Sequence, residues 1–181
     1  MRKMIRLSCG RMKLPALAKA IALFCSVVSS VIVANAVHSA KPIIVSKSLQ
    51  MAVGCLYSAS WMRKYFFTSF GGFKEGEAIS VRYNLGTISG TERTPGAYNV
   101  LFYSKDGKHA FLLDAEPNSR GGFFASENDY TLRQQGSKWH VIEGEGGFRD
   151  YEAVERLVNR MSSQPLYRVQ LIPDGKECGS D

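Results

Sequence analysis

Two apolar runs joined by Lys105-Asp106-Gly107-Lys108 constrain this chain more than any other feature. Tyr98-Asn-Val-Leu-Phe-Tyr103 and His109-Ala-Phe-Leu-Leu113 have the composition of strands. Asp-Gly between such runs is a strong hairpin signal, because it suits the two positive φ angles of a type I′ turn. Pairing Lys105 with Lys108 sets Phe102 opposite Phe111 and Leu101 opposite Leu112. Both faces of the ribbon are then apolar, so it belongs inside a sheet and not at an edge.

Shorter signals surround the hairpin. Ser46 is an N-cap for a helix over about 47–60, with Leu49, Val53 and Leu56 at helical spacing. The aromatic segment Trp61–Phe73, broken by Gly71-Gly72, fits neither period. Ala78–Tyr83 alternates as a half-buried strand does, and Gly86–Gly96 is a polar loop. Gly122–Ser126 and Asp129–Arg133 read as two separate strands, followed by a turn about Gly136 and the strand Trp139–Ile142. After Gly144-Glu-Gly-Gly147, Asp150 caps a helix whose stripe Tyr151, Val154, Leu157, Val158 and Met161 opposes Glu152, Glu155, Arg156 and Arg160. Leu166–Ile172 is the last strand. This order predicts an α+β fold, a curved antiparallel sheet of about five to seven strands in a meander, with an N-terminal and a C-terminal helix covering one face.

The chain divides before that domain begins. Arg2, Lys3, Arg6, Arg11, Lys13 and Lys19 precede an uncharged run from Ala20 to Ala34, and Ala34-Asn35-Ala36 follows. A cationic start, an apolar core and small residues at its end are the layout of a cleavable export signal. The expected organisation is a signal peptide over 1–36 starting at Met1, Met4 or Met12, a lead-in over 37–45, a single domain over 46–174 and a polar tail over 175–181. Cleavage is placed after Ala36, with Ala40 as second choice, and the destination is the periplasm. The alternatives are release to the medium or an uncleaved anchor, for which the run is at the short limit of a spanning helix.

Export changes the meaning of the charge. The whole chain carries +7, which suggests nucleic acid. All six leader cations lie where there is no acid, and the remainder has seventeen basic against sixteen acidic residues. A nearly neutral body argues against a nucleic-acid partner, and no stable membrane insertion is expected after cleavage. Cys9 and Cys25 leave with the signal, so Cys55 and Cys178 remain as an even pair in a compartment where disulfides persist. They are the expected bridge.

Candidate chemistry is sparse. His38, His109 and His140 have neither zinc spacing nor a nearby cysteine, and no serine sits in a Gly-x-Ser-x-Gly elbow. Glu143, Glu145, Asp150 and Glu152 flank the glycine segment without the alternation of a calcium loop, and they favour the following helix start. No metal or cofactor is expected. Arg63-Lys64-Tyr-Phe-Phe67, with Phe70, Phe73 and Lys74, mixes cations and aromatics and is the one contact surface legible outside the core.

These readings favour an exported, non-enzymatic binding protein that inhibits, neutralises or escorts another envelope or secreted protein. Its contacts are expected in loops, at Thr91, Glu92 and Arg93, at Asn118 and Arg120, and at Glu145 and Phe148. The alternatives are a small-ligand or lipid carrier with a pocket between sheet and helices, and a hydrolase with dispersed residues such as His140 with Glu143 or Asp114.

Overall fold

The structure, a computed structural model, describes residues 45–59, 63–88, 94–173 and Cys178. The expected signal peptide with its cleavage point, residues 37–44 of the lead-in and most of the polar tail lie outside the described residues, as do Thr91, Glu92 and Arg93.

Helix α1 spans Lys47–Ser58, and the Ser46 hydroxyl accepts a hydrogen bond from the Leu49 N–H, as its cap role requires. Its apolar positions Leu49, Ala52, Val53 and Leu56 are buried. The unreadable aromatic segment forms a π-helical stretch, Arg63–Gly71. Adjacent Phe66 and Phe67 are both buried there, one against the sheet and one between layers. Phe66 stacks on Phe111 at 5.2 Å, and Phe67 meets Tyr57 of α1 edge-on at 4.9 Å. Helix α2 spans Tyr151–Met161, with the Asp150 carboxylate accepting from the Ala153 N–H.

Six strands form one antiparallel sheet: β1 Ala78–Leu85, β2 Tyr98–Tyr103, β3 His109–Pro117, β4 Phe123–Gln135, β5 Lys138–Glu145 and β6 Tyr167–Gln170. Their spatial order is β5-β4-β3-β2-β1-β6, so β1 to β5 are a meander and the β2–β3 hairpin is central. Its register sets Leu101 opposite Leu112 and Phe102 opposite Phe111. The turn differs from expectation. Among the described residues only glycines have positive φ, Gly107 at +67° among them, and the Gly107 N–H donates to the Ser104 carbonyl. Asp106 accepts from the Lys108 N–H and the Ser104 hydroxyl, which closes a four-residue loop in place of the two-residue type I′ turn.

Two expected strands are one. β4 runs unbroken from Phe123 to Gln135, and Ser126, Glu127 and Asn128 bulge opposite Asp114 alone, between the Ala115–Ala125 and Leu113–Asp129 pairs. The polar bulge breaks the alternation that a sequence reading depends on.

The helices cover opposite faces of the sheet, which corrects the expectation that both lie on one. On the first face, α1 and the π-helical stretch bury Ile79, Val81, Val100, Phe102, Phe111, Leu113 and Val169. On the second, α2 buries Leu101, Ala110, Leu112, Tyr130, Leu132 and Trp139. A ribbon that is apolar on both sides needs two covers.

Helix α2 also closes an edge. β5 ends the sheet, and its outward backbone groups would otherwise invite another strand. Asn159 accepts from the Trp139 N–H and donates to its carbonyl, Glu155 accepts from the Val141 N–H, and the Tyr151 hydroxyl donates to the Gly144 carbonyl. Tyr151, Glu155 and Asn159 recur every fourth residue, so one line of the helix runs along the strand.

Candidate functional site

Apolar character fades across the first face towards β5. Two cross-strand rows show it. Phe102 pairs with Phe111, then Thr131, then Glu143; Val100 pairs with Leu113, then Asp129, then Glu145. Helix α1 reaches on to the first part of β4, where Phe123 is buried, and beside Phe111 the cover ends at Tyr65 of the π-helical stretch, ring centres 6.4 Å apart. Beyond it lies a cavity of about 400 Å³ lined by Lys64, Tyr65 and Ser69 on one side and by Asp129, Thr131, Glu143, Gly144 and Glu145 on the other.

Thr131 is buried at the floor, Asp129 is half-buried, and Glu143 and Glu145 are exposed at the rim. Burial first, and then the charge of Glu145, hold the Asp129 carboxyl above its usual pKa. Its Oδ1 accepts from the Glu145 N–H at 3.2 Å. Three acids therefore face the single ammonium of Lys64, beside a tyrosine ring that is 38% exposed. Such a cleft attracts a cation that also carries apolar surface, through carboxylates at the rim and the face of the ring. Gly144 is required here for space: a Cβ on it would sit 2.6 Å from Tyr130 Cδ1.

No protein-family profile, no curated protein and no solved structure matches this chain.

The expected contact residues do not converge. Asn118 shapes the β3–β4 turn, its Oδ1 accepting from the N–H groups of Arg120 and Gly122, and Arg120 is exposed at the tip. Glu145 pairs with Asp129, six residues along β4 from Phe123, or about 20 Å from that turn at ~3.3 Å per residue. Phe148 packs against the second core, its N–H donates to Asn128 Oδ1, and its carbonyl accepts from the Tyr130 hydroxyl. That makes it a fastening of the glycine segment to β4. Of the four that are described, only Glu145 lines the cleft. Lys64 and Tyr65 belong to the cation–aromatic segment singled out in the sequence, and the fold sets them against acids some eighty positions later.

The remaining candidates lie apart from the cleft. His140 Nδ1 is 3.3 Å from Glu155 Oε2, a partner on α2 that no spacing in the sequence indicates. Asp114 is fully buried on the second face. It accepts from the Ile88 N–H and from Asn99 Nδ2, both at 2.8 Å. Burial still outweighs these bonds and pushes its pKa up to about 7. Cys55 and Cys178 come together as a disulfide-capable pair, sulfurs 2.10 Å apart, beneath α1. Among the described residues no group of three or more histidines, cysteines and acids is placed to hold a metal, and no helix is long and apolar enough to cross a membrane.

Proposed function

We propose that this chain is an exported, non-enzymatic protein-binding domain that takes a cationic segment of another envelope or secreted protein into the acidic cleft over β4 and β5. The observation that carries the reading is the end of the helical cover at Tyr65, short of the second half of β4. It leaves Asp129, Glu143 and Glu145 with Tyr65 in one open recess. The leader in the sequence and the paired cysteines support export. An arginine or lysine of the partner would stack on Tyr65 and meet the rim carboxylates, so that inhibition, neutralisation or escort of a basic protein is the role. Filled cores on both faces favour this over a lipid carrier, which needs an interior to hold its cargo.

The test is affinity capture from an envelope extract with the wild-type chain and with a Asp129→Asn, Glu143→Gln, Glu145→Gln variant. A stoichiometric protein retained by the first, released by salt and not retained by the second supports the reading. Equal capture by both variants rejects the cleft as the contact. Native protein that still begins at Met1 rejects cleaved export.

A further inference from the structure

The second face has its own cavity, of about 370 Å³, between α2 and the end of β1. Here the core under α2 holds no residue of β1, whose residues on this face, Ser80, Arg82 and Asn84, are polar, and Arg82 Nε donates to the Gln164 carbonyl just past the helix. One wall comes from Asn84 and Leu85 at the end of β1, and the opposite wall from Phe148, Arg156, Leu157 and Arg160.

Both walls mix polar and apolar side chains. Arg156 and Arg160 stand one turn apart on the same side of α2. Arg156 reaches Glu152 at 3.5 Å and Asp150 at 3.9 Å, both between exposed groups, pairs of little worth that a ligand can displace. Arg160 is exposed and makes no ion pair among the described residues. Across from them Leu85 is 65% exposed, and Phe148 and Leu157 add apolar surface on the arginine side. The floor is rigid. Asn99 is fully buried and donates to Asp114 and to the Gly86 carbonyl, and Asn84 Nδ2 donates to Asn99 Oδ1 at 3.5 Å. Among the described residues the Asn84 amide makes no other hydrogen bond, which leaves its second hydrogen for a ligand oxygen.

We propose that this cavity binds a carboxylate borne on an apolar group, with Arg156 and Arg160 holding the carboxylate and Leu85, Phe148 and Leu157 holding the apolar part. Two sources share that chemistry: a free organic acid, or the last residue of a polypeptide with an apolar side chain. The site lies on the other face from the acidic cleft and does not depend on it.

The experiment is an amide-proton NMR titration of the full chain with octanoate, with an N-acetylated tetrapeptide ending in leucine as free acid, with the same peptide amidated, and with inorganic phosphate. The expected result is saturable movement of the Asn84 side-chain amide and the Ala153–Arg160 backbone by a carboxylate, and none by the amidated peptide. Tighter binding of octanoate assigns a free acid, and tighter binding of the free-acid peptide assigns a chain terminus. Arg160→Ala should weaken the binding roughly tenfold, the loss of one charge-assisted contact, and Arg160→Lys should recover part of it. Both changes are at an exposed position, so the fold survives to be measured. Equal response to the amidated peptide, response to phosphate alone, no saturation by any carboxylate, or unchanged affinity in Arg160→Ala overturns the proposal.

Discussion

The two faces of this sheet are built from the same strands and closed in different ways. The first is covered by α1 and the π-helical stretch over β6, β1, β2, β3 and the first part of β4. The second is covered by α2 over β2 to β5. Each cover leaves a polar recess, acidic over the second half of β4 and β5 on one face and basic beside the end of β1 on the other. They are also fastened differently. On the first face the Cys55–Cys178 pair ties the chain's end to α1, whereas α2 is held by hydrogen bonds along β5. A sheet with an apolar centre on both sides thus positions two open recesses without hollowing its core.

Opening the bridge on the first face should have the largest effect. With a sequence separation of 123, the chain-entropy model gives a loss of roughly 5 kcal/mol for the Cys55→Ser, Cys178→Ser variant. Denaturant unfolding of oxidised and reduced protein checks it, and coincident curves would remove the bridge. Phe111→Ala, which unstacks Phe66, should cost about 4 kcal/mol. The neighbouring row position Thr131, already at the polar margin, should cost about 1 kcal/mol as Thr131→Val. Equal costs would deny the gradient across the face.

The second face should show itself through pH. Asp114 has a pKa of about 7 when folded and 3.8 when ordinary, so the unfolded chain releases this proton first as pH rises. Its contribution is complete below about pH 4 and is lost by about pH 7, a ceiling of about 4 kcal/mol. Chemical unfolding between pH 4 and 8 should show that decline, and Asp114→Asn should flatten it. Asp129 shifts the same way, so part of the slope remains. Next in size, removing both Glu155 and Asn159 side chains to alanine leaves edge groups of β5 open at a cost of about 2 kcal/mol. The same variant should associate through that edge in sedimentation. Smallest is Glu143→Gln with Glu145→Gln, two exposed changes expected to alter stability by less than about 0.5 kcal/mol, while the Asp129 pKa moves towards its ordinary value by carboxyl NMR.

Much of the frame was readable along the chain. The hairpin register, the Ser46 and Asp150 caps and the stripe of α2 are local, set by periods of two and of 3.6 and by side chains bonding three residues ahead. What escaped is not local. The π-helical stretch buries consecutive phenylalanines because Phe66 stacks on Phe111 while Phe67 packs against Tyr57 of α1 and Phe102 of β2, which destroys helical periodicity. The β4 bulge interrupts the alternation with Ser126-Glu-Asn128. The cleft joins Lys64 and Tyr65 to Asp129 and Glu143–Glu145 only because the helical layer ends at Tyr65, short of the second half of β4, a consequence of packing that no spacing encodes. Choosing contact residues from loops alone missed it, since the acids stand on strands.

The most direct measurement is an NMR titration of the oxidised full chain with a short peptide alternating arginine and leucine. Binding in the cleft predicts shifts at Tyr65, Asp129, Thr131 and Glu143–Glu145, abolished by salt and by the triple neutral variant. Shifts confined to the Asn118–Arg120 turn, or a response equal in the variant, would contradict it.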